Sequence, residues 1–424
     1  MTLSSFISVP PESHFPIQNL PYGVFSPKSG GSKRIGVAIG DHVLDLAALG
    51  EAGFFAGTVA QADKVFEQGA LNAFMALGSD SWRQVRQIVQ DALREDNPDL
   101  RDNAALRERV LLPMQSVTLH LPAEIADYTD FYVSKEHATN LGTLFRGKEN
   151  ALLPNWVHVP IAYHGRASSI VVSGTDIHRP YGQVRGEDGK TPIFTASRQM
   201  DFELEVGYFV GPGNELGHSI PIGEAMNHVF GAVLVNDWSA RDIQNWEYQP
   251  LGPFLGKNLG TSISPWVVPM EALDVFRCPQ PVQDPQPLPY LRTQGNWAYD
   301  ISLEVSLRTD TMPTFTTVTR TNLRYAYWNI CQQIAHHTIT GCNLRPGDLL
   351  ATGTISGPTP DSYGSLIELS WRGANPVALA GNEQRSFLED GDCVRMTGWA
   401  QGDGFRVGFG DVTGCLLPSL RTGL

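Results

Sequence analysis

The run Asp201-Phe202-Glu203-Leu204-Glu205-Val206 constrains this chain more than any other stretch. Polar and apolar residues alternate in it, the pattern of a strand, so Glu203 and Glu205 project to one side while Phe202, Leu204 and Val206 pack on the other. Two carboxylates about 7 Å apart on one face repel by roughly 2 to 3 kcal/mol at an effective dielectric near ~20, and by little in open water. The run is therefore either a solvated strand face or a pair of ligands for a hard cation such as Mg²⁺ or Ca²⁺, which favour carboxylate oxygens. What else converges on it decides between the two.

The chain has 424 residues, enough for two or three domains, and its 42% hydrophobic and 18% charged content is that of a folded globular protein. No apolar stretch is long enough to cross a membrane, and the N-terminus lacks the basic and apolar regions of a secretory signal, so a cytoplasmic protein is expected. A net charge of -13 disfavours nucleic acid and anionic membranes as partners. The five cysteines, Cys278, Cys331, Cys342, Cys393 and Cys415, are odd in number and show no metal-type spacing, which predicts reduced thiols rather than a disulfide framework. The 42 Gly and 29 Pro predict many turns and a β-rich body.

Residues 1–116 read as a small domain of structural character, with a hairpin around Gly40-Asp41 and a helix from about Trp82, capped by Ser79 or Ser81. Residues 117–424 carry the chemistry. Asp127 to Arg146 gathers three carboxylates, two phenols, His137 and Arg146 with few long aliphatic residues, a composition suited to a site wall. Taken singly, Asp130 also fits a cap, His137 a hydrogen-bonded structural role and Arg146 a surface ion pair. Phe230 to Asp237 reads as a buried strand ending in a carboxylate that needs a partner, a metal or a helix to cap. Arg241, Gln244 and Tyr248 follow at helical spacing, and Lys257 lies among glycines and apolar residues. Gly182 to Pro192 reads as a flexible loop, Leu323 to Ile334 as a helix, and Ser365 to Ser370 as a strand bearing Glu368.

Six segments together resemble the fumarylacetoacetate hydrolase family: Pro16 to Phe25, Tyr128-Thr-Asp-Phe-Tyr132, Phe145 to Asn150, Tyr163-His-Gly-Arg-Ala-Ser-Ser169, Asn236-Asp-Trp-Ser-Ala-Arg-Asp242 and Gly353-Thr-Ile-Ser-Gly357. The resemblance spans nearly the whole chain. It implies a mainly β fold with some α, an N-terminal SH3-like barrel and a C-terminal mixed β-roll catalytic domain, assembled as a homodimer. It implies a Mg²⁺ or Ca²⁺ site formed by Asp130, Glu203, Glu205 and Asp237 with Lys257 and Thr261 close by. It further implies hydrolysis of a carbon-carbon bond in a small anionic diketone, 4-fumarylacetoacetate, at the end of tyrosine and phenylalanine breakdown. On that pattern His137 is the general base and Glu368 its orienting partner, while Arg241, Gln244 and Lys257 stabilise the oxyanion. Tyr132, Arg146, Gln244, Tyr248 and Thr354 hold substrate. Two alternatives stay open, a different reaction on the same scaffold, such as acylpyruvate hydrolysis, decarboxylation or hydration, and a non-catalytic metal- or metabolite-binding role.

Overall fold

Gly40 adopts a positive φ of 56°, the left-handed turn conformation that favours glycine, and it joins strands Arg34–Ile39 and His42–Asp45 into the expected hairpin. In the computed structural model, which describes residues 3–420, this hairpin is the middle of a five-stranded antiparallel sheet. Its strands run in the order Leu111–Pro113, His42–Asp45, Arg34–Ile39, Tyr22–Pro27 and Val117–His120. The helix Ser79–Leu93 turns Trp82, Val85, Val89 and Leu93 inward. Gly78 occupies its N-cap, and no serine side chain caps it.

An eight-stranded sheet forms the centre of the molecule. Its strand Val229–Asp237 is buried at all nine positions, so both faces of the sheet are covered. On one face Val233, Val235, Phe209 and Ile263 share a core with Trp82, Phe74 and Tyr22 of the N-terminal region, and Trp82 meets Phe230 edge-on at 5.2 Å between ring centres. On the other, Ala232 and Leu234 pack with Leu303, Val305, Met396 and Val412, which come from a second, five-stranded sheet. The N-terminal sheet and the second large sheet thus sandwich the strands that carry the acids. The architecture is mainly β with some helix, in two domains, as expected.

Four further expectations change. Cys393 and Cys415 stand directly opposite each other on paired strands and form a disulfide, leaving Cys278, Cys331 and Cys342 free. Spacing could not reveal this, because the strand register alone brings two residues so distant in sequence together. Glu368 lies on a short helix, Leu366–Leu369, rather than a strand. Asp201 accepts hydrogen bonds from the Leu366 and Ile367 N–H groups, a tertiary cap that overrides the local alternation. Within the expected loop at 182–192, strands Tyr181–Arg185 and Pro192–Ala196 pair as a hairpin whose turn is closed by Asp188, which accepts from the N–H groups of Lys190 and Thr191. The helix expected over 323–334 begins later, at Ile330–Thr338, where Asn329 and Gln332 form a capping box.

Candidate active site

The acids stand at one end of a sheet face whose remaining positions are apolar. Side chains two residues apart on a strand share a face. Tyr128 is therefore followed by Asp130, Phe209 and Gly207 by Glu205, Val235 by Asp237, and Ile263 by Thr261. These strands are neighbours through Leu349–Ala351, and the register sets Asp130 against Ala351, Glu205 against Val235 and Asp237 against Thr261. Oxygens of Asp130, Glu205 and Asp237 lie within 4.8 Å of one another, all three residues buried.

Burial and the neighbouring carboxylates push Asp130 and Glu205 well above the ordinary acid range, and burial raises Asp237 despite the opposing Lys257. Among the described residues, Asp130 Oδ1 and both Glu205 oxygens are buried without a hydrogen-bond partner. Such a cluster resists ionisation unless positive charge enters it. Oxygen-only donors at this spacing fit a hard divalent cation.

Glu203 has a different environment. Its carboxylate contacts Lys257 Nζ, and Arg241 Nη2 approaches it at 2.6 Å. Burial opposes its charge, but Arg241 and Lys257 win and hold Glu203 below the ordinary range. Lys257 also donates to Asp237 at 2.6 Å, and Thr261 donates to Asp237 at 3.2 Å. Burial likewise works against the charge on Lys257 and Arg241, which their acidic partners hold above their ordinary values. A protonated lysine has no lone pair, so Lys257 neutralises this corner of the cluster instead of ligating a cation.

His137 faces the same space from the helix Lys135–Arg146, whose first turn Ser134 caps by accepting from the His137 N–H. Its Nδ1 lies 2.6 Å from Glu368, and its Nε2 lies 3.9 Å from Glu203. Asn140, Ser356 and Ser365 also donate to Glu368. Burial disfavours the Glu368 charge, but His137 and these donors hold its carboxyl below the ordinary range. An ionised Glu368 accepts a hydrogen bond from the Nδ1–H group and so turns Nε2 toward Glu203.

A cavity opens over this arrangement, lined by Asp130, Tyr132, His137, Arg146, Glu203, Arg241, Gln244, Tyr248, Lys257 and Thr354 among others. Tyr132 stands edge-on to the His137 ring at 5.3 Å. Gln244 accepts from Arg241 through Oε1, which leaves its amide group for the cavity. Thr354 Oγ1 is buried there without a partner among the described residues. Arg146 is tied by its guanidinium to the backbone oxygens of Asn150 and Ala151 at the cavity edge. Glu205, Asp237, Thr261 and Glu368 are not part of the lining and meet it through their neighbours Asp130, Lys257 and His137.

Reading the residues missed Asp201, Tyr163, Asn140, Ser356 and Ser365. Tyr163 donates to Asp237 at 3.3 Å and lines the cavity. A signal existed for two of them. Asp201 is the first of three acids spaced two apart, and Asn140 is one helical turn after His137.

Two family models match almost end to end, Fumarylacetoacetase N-terminal over residues 18–122 and Fumarylacetoacetate (FAA) hydrolase C-terminal over 128–415. The chain belongs to the fumarylacetoacetate hydrolase family. It is 55% identical to the fumarylacetoacetase of Rattus norvegicus and 55% identical to that of Arabidopsis thaliana, each time over 98% of this chain and 99% of the relative. Among solved structures, that of Cg1458 superposes with a TM-score of 0.50 at 13% identity, covering 94% of this chain and 100% of the other, a likeness of fold. Fumarylacetoacetate hydrolase family enzymes are metal-dependent, in keeping with the buried acidic triad.

Proposed function

We propose that this chain hydrolyses the carbon-carbon bond of 4-fumarylacetoacetate to fumarate and acetoacetate, the last step of tyrosine and phenylalanine catabolism. The observation that carries the reading is the His137–Glu368 contact at 2.6 Å beside a cavity lined by His137, Asp130 and Arg241, where Asp130 converges with Glu205 and Asp237. A base, a cation site and fixed donors in one cavity are what attack by water on a ketone requires.

His137 Nε2 takes a proton from water, and Glu368 holds the imidazole in the necessary tautomer and steadies its positive charge. Arg241, Lys257 and the free Gln244 amide donate to the oxygen that gains charge as water adds to the ketone. His137 then returns the proton to the acetoacetate carbon that leaves. Tyr132, Tyr248 and Thr354 orient the substrate, and Arg146 pairs with one of its carboxylates in a two-pronged contact. Asp130, Glu205 and Asp237, with Glu203 as the fourth carboxylate beside them, would hold a Mg²⁺ or Ca²⁺ ion, and Lys257 and Thr261 donate to Asp237 next to it. Such an ion supplies Lewis-acid stabilisation for negative charge on the diketone oxygens. The enzyme works as a cytoplasmic homodimer on this small anionic substrate, and light scattering after gel filtration tests the dimer.

The deciding experiment follows loss of the fumarylacetoacetate ultraviolet absorbance with purified protein, before and after chelation and with Mg²⁺ or Ca²⁺ restored. Metal-restored loss with fumarate and acetoacetate in equal amounts supports the reading. No loss in a folded, metal-loaded sample overturns it in favour of a related diketone hydrolase or a binding protein.

A further inference from the structure

The mechanism above leaves Asp201, a buried carboxylate in contact with Arg241, without a task. Asp201 is 0% exposed and sits on the strand Met200–Asp201, which pairs with Ser239–Ala240 immediately before Arg241. Its Oδ2 accepts from Arg241 Nε at 2.7 Å and from the Ile367 N–H at 3.2 Å. Its Oδ1 accepts from the Leu366 N–H at 2.7 Å and from the Phe202 N–H at 2.8 Å. One side chain thus grips two elements of the site, Arg241 and the start of the Leu366–Leu369 helix.

We propose that Asp201 is a positioning residue that sets the Arg241 guanidinium and the helix carrying Glu368 in register with each other. The inference rests on the reaction proposed above. Three features point to geometry instead of general stability. First, Ser365 occupies the N-cap of the Leu366–Leu369 helix but makes no capping bond, and its hydroxyl is turned to Glu368, to which it donates at 2.6 Å. Asp201 does the capping in its place and frees Ser365 to hold the carboxylate behind His137. Second, Asp201 binds Arg241 at Nε, while Nη1 is taken by Gln244 and Nη2 approaches Glu203 at 2.6 Å. The Arg241 N–H donates to the Gln199 oxygen at 2.9 Å, so one short segment holds both ends of that residue. The planar fork then has a single orientation toward the cavity. Third, buried ion pairs are weak contributors to stability relative to packed apolar residues, so a pair retained at 0% exposure fixes an arrangement more than it strengthens the fold. Catalytic groups have to be held to within about 0.5 Å by their supporting contacts. Displacing Asp201 moves the oxyanion donor and the partner of the base together.

Asp201→Asn keeps the shape and one acceptor oxygen but removes the charge facing Arg241. The expected result is a fall in kcat of about 10²-fold per metal-loaded site, the cost of a misplacement near 1 Å. KM and Mg²⁺ uptake by equilibrium dialysis stay within about 3-fold of the parent enzyme. In an Arg241→Gln background the same change costs clearly less than its roughly 10²-fold in the parent, because the Arg241 arm has gone and only the helix carrying Glu368 is left to displace. Asp201→Glu keeps the charge but lengthens the arm, and it loses kcat nearly as far. A purely structural role predicts instead a lower melting temperature with kcat per folded site unchanged, or penalties that multiply in the double variant. Either result overturns the proposal, as does parental kcat in Asp201→Glu. One readout does not depend on turnover. The Arg241 Nε–H and His137 Nδ1–H proton resonances of the labelled protein both shift upfield in Asp201→Asn, and unmoved resonances refute the coupling. Absence of fumarylacetoacetate hydrolysis by the parent enzyme is a separate result that overturns the proposed reaction, and the resonances then decide the role of Asp201 alone.

Discussion

Two residues divide the work of the site in a way that substitution can separate. His137 touches the acid cluster only through a 3.9 Å approach to Glu203, whereas its 2.6 Å contact is with Glu368. His137→Ala is therefore expected to lower kcat by about 10²- to 10⁴-fold, the usual range for a general base, while Mg²⁺ binding by dialysis stays intact. Near-normal turnover of the purified variant rules out the base assignment. Glu205 is the converse case, because both its oxygens lack a partner among the described residues and its neighbours are acids. Glu205→Gln relieves repulsion in chelated protein and removes a ligand from metal-loaded protein. Its melting temperature in chelator should match or exceed that of the parent, and added Mg²⁺ should no longer raise it. The parent gains about 2.7 kcal/mol when free Mg²⁺ is 100 times its dissociation constant. A full metal-induced shift in Glu205→Gln removes Glu205 from the site.

At the scale of elements, legibility followed the range of the forces involved. The apolar run before Asp237 is a local pattern and produced the strand expected of it, whereas the run at 201–206 is divided between strands Met200–Asp201 and Leu204–Val210, with Glu203 on an isolated bridge to Ser365. The spacing of Arg241, Gln244 and Tyr248 likewise gave a helix, Arg241–Glu247, with Tyr248 at its C-cap. The segment around Glu368 was misread because its helix is capped by Asp201, 165 positions earlier in the chain, and no local pattern carries that information. Cys393 and Cys415 failed for the same reason, since their meeting depends on the pairing of two long strands. That pairing makes its own prediction. Iodoacetamide under non-reducing conditions should label Cys278, Cys331 and Cys342 after unfolding, and all five cysteines after reduction. A sequence separation of 22 gives a cross-link contribution of about 3 kcal/mol, so Cys393→Ser should lower the unfolding free energy by up to that amount in non-reducing buffer and by little in dithiothreitol. Five labelled cysteines without reductant overturn the pairing.

Across the whole molecule, the N-terminal region is joined to the catalytic sheets by more than apolar packing. Tyr22 and Val267 exchange backbone hydrogen bonds at 2.9 and 2.7 Å, and Asn19 donates to the Gly408 oxygen at 2.7 Å. His14 completes this seam. Its carbonyl accepts from the Gly408 N–H, and its ring Nδ1 accepts from the Gly410 N–H at 3.1 Å. Accepting at Nδ1 requires an unprotonated nitrogen. Burial and Arg406 lower the His14 pKa, outweighing Asp411, which raises it. A histidine whose folded pKa is depressed binds its proton more readily in the unfolded chain. Its contribution to stability is therefore complete above about pH 6.5, the ordinary histidine value, and is lost as pH falls through the folded pKa. His120, His336 and His337 are lowered by burial too and add to the same acid-side loss, so the parent curve alone does not isolate His14. His14→Gln replaces the ring with an uncharged acceptor of similar reach. Denaturant unfolding of both proteins at pH 7.5 and at successively lower pH should show a variant weaker by about 1 kcal/mol at the higher pH, the scale of one imperfectly restored hydrogen bond. The two curves should converge as the parent protonates His14. Curves that stay parallel down the acid limb refute a neutral His14 at the seam. Convergence ties the His14 share of the acid sensitivity to the contact that docks residues 14–19 on the strand Arg406–Leu417.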